Sequence, residues 1–326
     1  MSTATDIHNQ VSTYYARMQT SAALKTNACC CGTNSQPDYV SAVLPLISDE
    51  VLEQFYGCGS PLPPLLQGCT VLDLGCGSGR DSFIAARLVG ESGRVIGIDM
   101  TPEQIAVARR NEQRQAAAFG YAKPNTEFID GLIEDLGASG IADNSVDVVI
   151  SNCVINLSAD KEQVFREIYR VLKPNGELFF SDVFANKRMP KQLHDDPVLY
   201  GECLAGAFYE EEFRQMLAGG GWSYFNFVNT VEMTVDDPDL AASVKGINFS
   251  SRTVRAIKAG VPEWGDGGCD NAATYLGNIS DYPVSFDFDQ QWRFTAGKSV
   301  LVPGNLAAAL RNSRYSQAFA VSTATP

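Results

Sequence analysis

The stretch Asp73-Leu74-Gly75-Cys76-Gly77-Ser78-Gly79 decides the fold. It closes an apolar run at residues 69–74 and opens a helical pattern at residues 81–89. Glycine, lacking Cβ, lets backbone pass close to a ligand and take positive φ. A glycine loop between a strand and a helix is the entry to a nucleotide-type α/β unit. The spacing here is G-x-G-x-G rather than the dinucleotide G-x-G-x-x-G, which disfavours a nicotinamide cofactor. Reading outward, residues 94–98 form a second strand ending in Asp99-Met100. An acid there can accept both hydroxyl protons of a ribose. Thr101-Pro102 opens the next helix, with proline in its first turn. Residues 127–129 and 146–150 read as the third and fourth strands, and residues 161–172 as a helix. The turn Lys173-Pro174-Asn175-Gly176 leads into a fifth strand at residues 177–181. Strands alternating with helices predict a doubly wound parallel α/β sheet.

The flanks read differently. Residues 7–23 and 45–55 have helical spacing, and Pro61, Pro63 and Pro64 end that region. Residues 190–218 read as mostly helical up to Gly219-Gly220-Gly221. Residues 292–302, W-R-F-T-A-G-K-S-V-L-V, read as strand, turn and strand, with a short helix after them.

Composition bounds the chemistry. The 326 residues are 45% hydrophobic and 19% charged, enough to bury a full core. The net charge of -13 repels phosphate backbones, so nucleic acid is an unexpected partner. No run of 18 apolar residues predicts a membrane span. The polar start lacks a secretory pattern, which places the expectation in the cytoplasm.

Nine cysteines are present, an odd number, and a reducing compartment keeps most as thiols. There is no C-x-x-C pair, and His8 and His194 are the two histidines, so a structural zinc site has weak support. Cys69, Cys76 and Cys269 suit burial as small apolar residues. Cys153 is different: in S-N-C-V-I-N-L it follows the fourth strand, where open α/β sheets hold ligands. Cys58 lies between two glycines, and Cys203 follows Glu202 on a helical stretch.

The motifs D-L-G-C-G-S-G and G-I-D-M resemble those of class I S-adenosylmethionine methyltransferases. Y-Y-A-R, L-K-T-N-A-C-C, Y-G-C-G-S-P, G-S-G-R-D, S-N-C-V-I-N-L, F-S-D-V-F, G-E-C-L-A-G-A-F-Y and the terminal N-S-R-Y-S-Q-A-F narrow the resemblance to the arsenite methyltransferases. The likeness implies a Rossmann-like methyltransferase sheet with an N-terminal helical lid at 1–66 bearing Cys29 and Cys58. It implies a cofactor-binding core at 67–183, an arsenic-binding segment at 184–230 bearing Cys203, and a smaller C-terminal α+β domain at 231–326.

The same resemblance implies S-adenosylmethionine bound by Tyr56, Asp73, Gly75, Gly77, Asp99, Met100, Gln104, Ile133, Glu134 and Asn152. The glycine loop would meet its amino-acid part, Asp99 its ribose and Glu134 its adenine. Tyr14, Tyr15 and Tyr56 offer ring faces to a sulfonium, with helix core the alternative for the first two. Trivalent arsenic, from arsenite or methylarsenite, would be held by Cys58, Cys153 and Cys203. Cys29 would take part in thiol exchange with an external reductant of the glutathione or thioredoxin type. The triple Cys29-Cys30-Cys31 leaves open which thiol reacts, the register L-K-T-N-A-C favouring Cys29. Thiolates are soft donors, so several separated thiols suit a thiophilic substrate. The alternatives are another metalloid as methyl acceptor, or a thiol-based arsenic-binding or redox protein without turnover.

Overall fold

The computed structural model describes residues 11, 36–57, 59–258 and 271–323. Cys29, Cys30, Cys31, Cys58, Cys269, Tyr14, Tyr15 and His8 lie outside the described residues, as does nearly all of the expected first helix.

Five parallel strands form the frame: β1 (Thr70–Leu74), β2 (Arg94–Asp99), β3 (Thr126–Asp130), β4 (Val146–Asn152) and β5 (Leu172–Ala185). They stand side by side in the order β3-β2-β1-β4-β5. Val71, Leu72, Leu74, Val148, Val149 and Ile150 are fully buried, because helices cover both faces. On one side lie α1 (Asp38–Ser41), α2 (Asp49–Glu53), α3 (Arg80–Val89) and α4 (Pro102–Phe119). On the other lie α5 (Lys161–Val171) and, beyond α6 (Pro197–Gly201), α7 (Glu210–Gly219). The chain winds outward from β1 through β2 to β3 and returns to β4 on the other side of β1. The loops after β1 and β4 therefore meet at the switch point, where such sheets place their ligands.

Several expectations are corrected. The turn at 173–176 is present, but as a bulge within β5. Val146 pairs with Leu172 and Val148 with Glu177, so the extra residues loop out, with Asn175 at φ 65°. β5 continues to Ala185 rather than 181, because a further strand pairs with it along that whole length. This is β8 (Phe249–Ile257), antiparallel to β5, with β7 (Tyr224–Met233) antiparallel to β8 beyond it. The boundaries proposed at 183 and 230 thus fall inside β5 and β7, and the central sheet extends to Ile257. The segment expected to be mostly helical also contains β6 (Phe208–Tyr209), which pairs with the end of β5.

The C-terminal part follows α8 (Pro238–Ser243) and β8. Its small sheet sets β9 (Asn271–Tyr275) between β12 (Ser299–Val302) and β13 (Phe319–Thr323), with α9 (Gly304–Asn312) against it. The strand, turn and strand read at 292–302 are present, followed by the short helix, but the two strands do not pair with each other. β11 (Arg293–Thr295) pairs with β10 (Ser285–Asp287), and β12 pairs with β9.

A buried ionic knot ties this part to the main sheet. Arg255 on β8 donates to Glu177 on β5 at 2.8 Å and to the Tyr315 hydroxyl at 2.9 Å. Arg314 pairs with the other Glu177 oxygen. The terminal N-S-R-Y motif therefore supplies two members of a packing joint. Among the described residues, no helix is long and apolar enough to cross a membrane.

Candidate functional site

The loop after β1 is built by local constraints. The Gly75 and Cys76 N–H groups both donate to the Ile98 carbonyl, at 2.7 and 3.0 Å, which fastens the loop to the end of β2. Gly75, Gly77 and Gly79 all take positive φ. A Cβ on Gly75 would lie 2.3 Å from Val154 Cγ2, so glycine is required for close approach of the two switch-point loops. Asp99 bridges the same region: its carboxylate accepts from Gly77 N–H at 2.9 Å and from Thr101 N–H at 2.8 Å.

These elements line an open cavity. Tyr56, Asp73, Gly75, Gly77, Asp99, Met100, Gln104, Ile133, Glu134 and Asn152 all line it. So do Asp81, Thr101, Leu132, Ser158 and Cys153, of which the sequence reading had not put the first four at the cofactor site. Asp81 could have been found, because it stands in the first turn of the helix that the glycine loop opens.

The lining is acidic. Asp73, Asp81, Asp99 and Glu134 bring four carboxylates to one cavity, which suits a cationic ligand. Burial, helped by the charge of Asp81, pushes the Asp73 carboxyl up to about 8, against the Ser82 hydroxyl that donates to it at 2.5 Å. Burial likewise raises Asp99, opposed by its bonds from Thr101 and Gly77. Among the described residues, Gln104 Oε1 is buried with no hydrogen-bond partner. An acceptor in that state is ready for a donor on a bound molecule. A ligand with a sulfonium, an ammonium and ribose hydroxyls fits this donor and acceptor set.

Cys153 lines this cavity, and Cys203 stands beside Cys153. Cys153 and Cys203 are both buried, and both take left-handed backbone, φ 55° and 61°. Each non-glycine residue so held costs about 1–3 kcal/mol and is retained by surrounding structure. Cys153 N–H donates to Ser181 O at 2.8 Å, and Cys203 Sγ donates to Cys153 O at 3.2 Å. Cys153 is disulfide-bonded, while Cys69 and Cys76 are free thiols.

Asp182 completes the group: its carboxylate and the two sulfurs all lie within 4.8 Å of one another. It accepts from Val183 N–H at 2.9 Å and from Asn156 N–H at 3.1 Å. Burial pushes it up to about 7, opposed by those bonds and by Lys161. Lys161, lowered by burial to about 8, donates to Gly206 O at 2.7 Å. The sequence reading quoted F-S-D-V-F but assigned Asp182 no role; an acid inside an apolar run was the available signal.

Position 58 is outside the described residues, but its neighbours are held firmly. Gly59 N–H donates to Asn152 Oδ1 at 3.2 Å, and Asn152 Nδ2 donates back to Gly59 O at 3.0 Å. Asn152 also donates to Asp81 at 2.7 Å. The Tyr56 hydroxyl donates to Glu202 at 2.5 Å, linking this segment to the residue before Cys203. Asn152 and Cys153 therefore stand where the cofactor-like cavity, the 57–59 segment and the Cys203 loop converge.

Comparison with known proteins agrees with this geometry. The family described as "Methyltransferase domain" matches residues 65–221, and that described as "Arsenite methyltransferase C-terminal domain" matches residues 269–326. An arsenite methyltransferase of Aquipseudomonas alcaligenes is 42% identical over 314 residues, covering 96% of this chain and 90% of that protein. One of Mus musculus is 40% identical over 317 residues, covering 97% and 84%. The crystal structure of an arsenic (III) S-adenosylmethionine methyltransferase from Chlamydomonas reinhardtii is 41% identical, with a TM-score of 0.84, covering 89% of this chain and 97% of that one.

Proposed function

The chain belongs to the arsenite methyltransferase family, and we propose that it moves a methyl group from S-adenosylmethionine to trivalent arsenic held by cysteine thiolates. The observation that carries this reading is the double membership of Cys153. It lines the acidic cavity beside the glycine loop, and its sulfur belongs to the buried cluster with Cys203. A thiol-bound substrate at Cys153 is therefore next to whatever the cavity holds.

The cofactor, when bound, supplies an electrophilic methyl on a positively charged sulfonium. Asp73 and Asp81 offer carboxyl oxygens as acceptors on the glycine-loop side, where an ammonium would sit. Asp99 is the acceptor for ribose hydroxyls, Gln104 Oε1 takes a further donor, and Glu134 with Ser158 borders the adenine side. Met100 and Ile133 give apolar wall, and the Tyr56 ring offers a face to a cation.

On the other side, Cys153 and Cys203 hold arsenic, with Cys58 as third thiol. Each As–S bond forms as a thiol proton leaves with an arsenic-bound hydroxide as water. Three sulfurs leave the arsenic lone pair free to act as the nucleophile, so no general base is needed for that step. The chain's task is aim, and such positioning supplies about 7 kcal/mol or more in favourable cases.

Cys153 stands in a disulfide, and two electrons must enter before its sulfur can bind arsenic. That requirement supports an external reductant of the glutathione or thioredoxin type, a cytoplasmic setting and a thiol-exchange role for Cys29. Incubation with arsenite, S-adenosylmethionine and excess thiol, followed by chromatographic arsenic speciation, tests the proposal. Wild-type protein is expected to yield methylated arsenicals, and Cys203→Ser to yield none from either arsenite or methylarsenite. Absence of methylated product with wild type, or full turnover by the variant, would overturn it.

A further inference from the structure

The three donors Cys153 Sγ, Cys203 Sγ and an Asp182 carboxylate oxygen make a set that trivalent arsenic does not call for. Arsenic is thiophilic and satisfied by sulfur, whereas a buried carboxylate within 4.8 Å of both thiols adds a hard oxygen. Two thiolates and one oxygen, with a water in the fourth position, match the tetrahedral preference of borderline divalent cations.

The carboxylate is also oriented as a ligand is oriented. Its two oxygens are each fixed by a backbone N–H, from Val183 and Asn156. Groups of that kind hold a metal ligand in register from outside. The donors come from three separate places, the residue after β4, the interior of β5 and the loop after α6, so the tertiary fold alone assembles them. Lys161, whose charge interacts with both Asp182 and Cys203, offsets part of the negative charge that two thiolates and a carboxylate would gather.

We propose that in the reduced chain Cys153, Cys203 and Asp182 bind a thiophilic divalent cation, zinc or cadmium, in competition with trivalent arsenic. The competition rests on the function proposed above; the cation site itself does not. Bound cation would occupy the two thiols that both arsenite and methylarsenite need, and so would act as an inhibitor of either reaction.

The test uses the full chain, freed of disulfide by a phosphine reductant, with cadmium and zinc salts as the probes. Cadmium titration read by thiolate charge-transfer absorption is expected to saturate at one equivalent, with the signal lost in Cys203→Ser. Asp182→Asn is expected to weaken both cations at least tenfold while changing arsenite affinity less than threefold, which also shows that the variant is folded. Cadmium NMR of the wild-type complex needs no variant and should report two sulfur ligands. Zinc should raise the apparent KM for arsenite and leave kcat unchanged.

Three or four sulfur ligands, cation binding that survives Cys203→Ser, or equal loss of cation and arsenite binding in Asp182→Asn would each overturn the site. If the cation results hold but wild type methylates no arsenic, the proposed function fails and the cation site stands.

Discussion

Replacing Gly59 by alanine puts a methyl carbon 2.5 Å from both Cβ and Oγ of Ser181. Ordinary carbon contacts lie at about 3.5–4.0 Å, so one partner must move by roughly 1 Å. Ser181 will not be the one. It is fully buried in β5, paired to β4 and β8, and its hydroxyl shares a 2.9 Å hydrogen bond with Thr253. The 57–59 segment yields instead, and it loses the reciprocal pair of bonds to Asn152. Two such bonds are worth about 1–3 kcal/mol together, against a total stability of about 5–15 kcal/mol, so the fold survives. Positioning is less forgiving: a displacement of about 1 Å can cost on the order of 100-fold in rate. Gly59→Ala is therefore expected to lower arsenite methylation about 100-fold, with a melting temperature only a few degrees lower. Ser181→Gly removes both obstructing atoms, and the double variant should recover most of the rate. Initial rates under excess reductant, read by arsenic speciation, give the answer. A single variant at the wild-type rate, or a double variant no faster than the single, would refute the steric reasoning.

Asp99→Ala removes the proposed ribose acceptor together with the anchor of Gly77 N–H; S-adenosylmethionine affinity measured by calorimetry should fall at least tenfold, with arsenite binding unchanged. Asp73, at about 8 when folded and about 3.9 unfolded, holds its proton more tightly in the native state, so stability of the ligand-free chain should fall as pH rises from about 4 to 8. Asp182, at about 7, adds to the same trend, so Asp73→Asn should reduce the slope in denaturant titrations at several pH values without abolishing it. Arg314→Ala leaves Glu177 buried with one guanidinium fewer and should cost about 3 kcal/mol in denaturant unfolding; a loss below about 1 kcal/mol would mean that the knot does not anchor the C-terminal part.

Most of the parallel sheet and of the cavity lining was legible because each signal is local. A strand, its glycine loop and its helix start lie within a few residues of one another, and so do β2 and Asp99. The topology then gathers the ends of parallel strands at one edge, which is why ten residues scattered from Tyr56 to Asn152 line one cavity. What was not legible has the opposite cause. Residues 292–302 carry two strand-like runs around a glycine, yet each run finds its partner elsewhere. Residues 224–257 were divided at 230 between two segments, although the antiparallel strands there complete the main sheet. Periodicity reports which face of a strand is apolar, but not which neighbour it pairs with.

The amino-acid order by itself determined the doubly wound core, the glycine loop, the acid ending the second strand and the unusual settings of the cysteines. All of these rest on near-neighbour chemistry. Only the tertiary structure decided that Cys153 and Cys203, 50 residues apart, meet each other and Asp182. That meeting requires left-handed backbone at two non-glycine residues, a conformation that local preference opposes and that dense surrounding packing sustains. It also decided that Arg314 and Tyr315 serve a buried joint with Glu177. A buried charge is tolerable only where its partners arrive, and Tyr315 stands 138 residues from Glu177 along the chain.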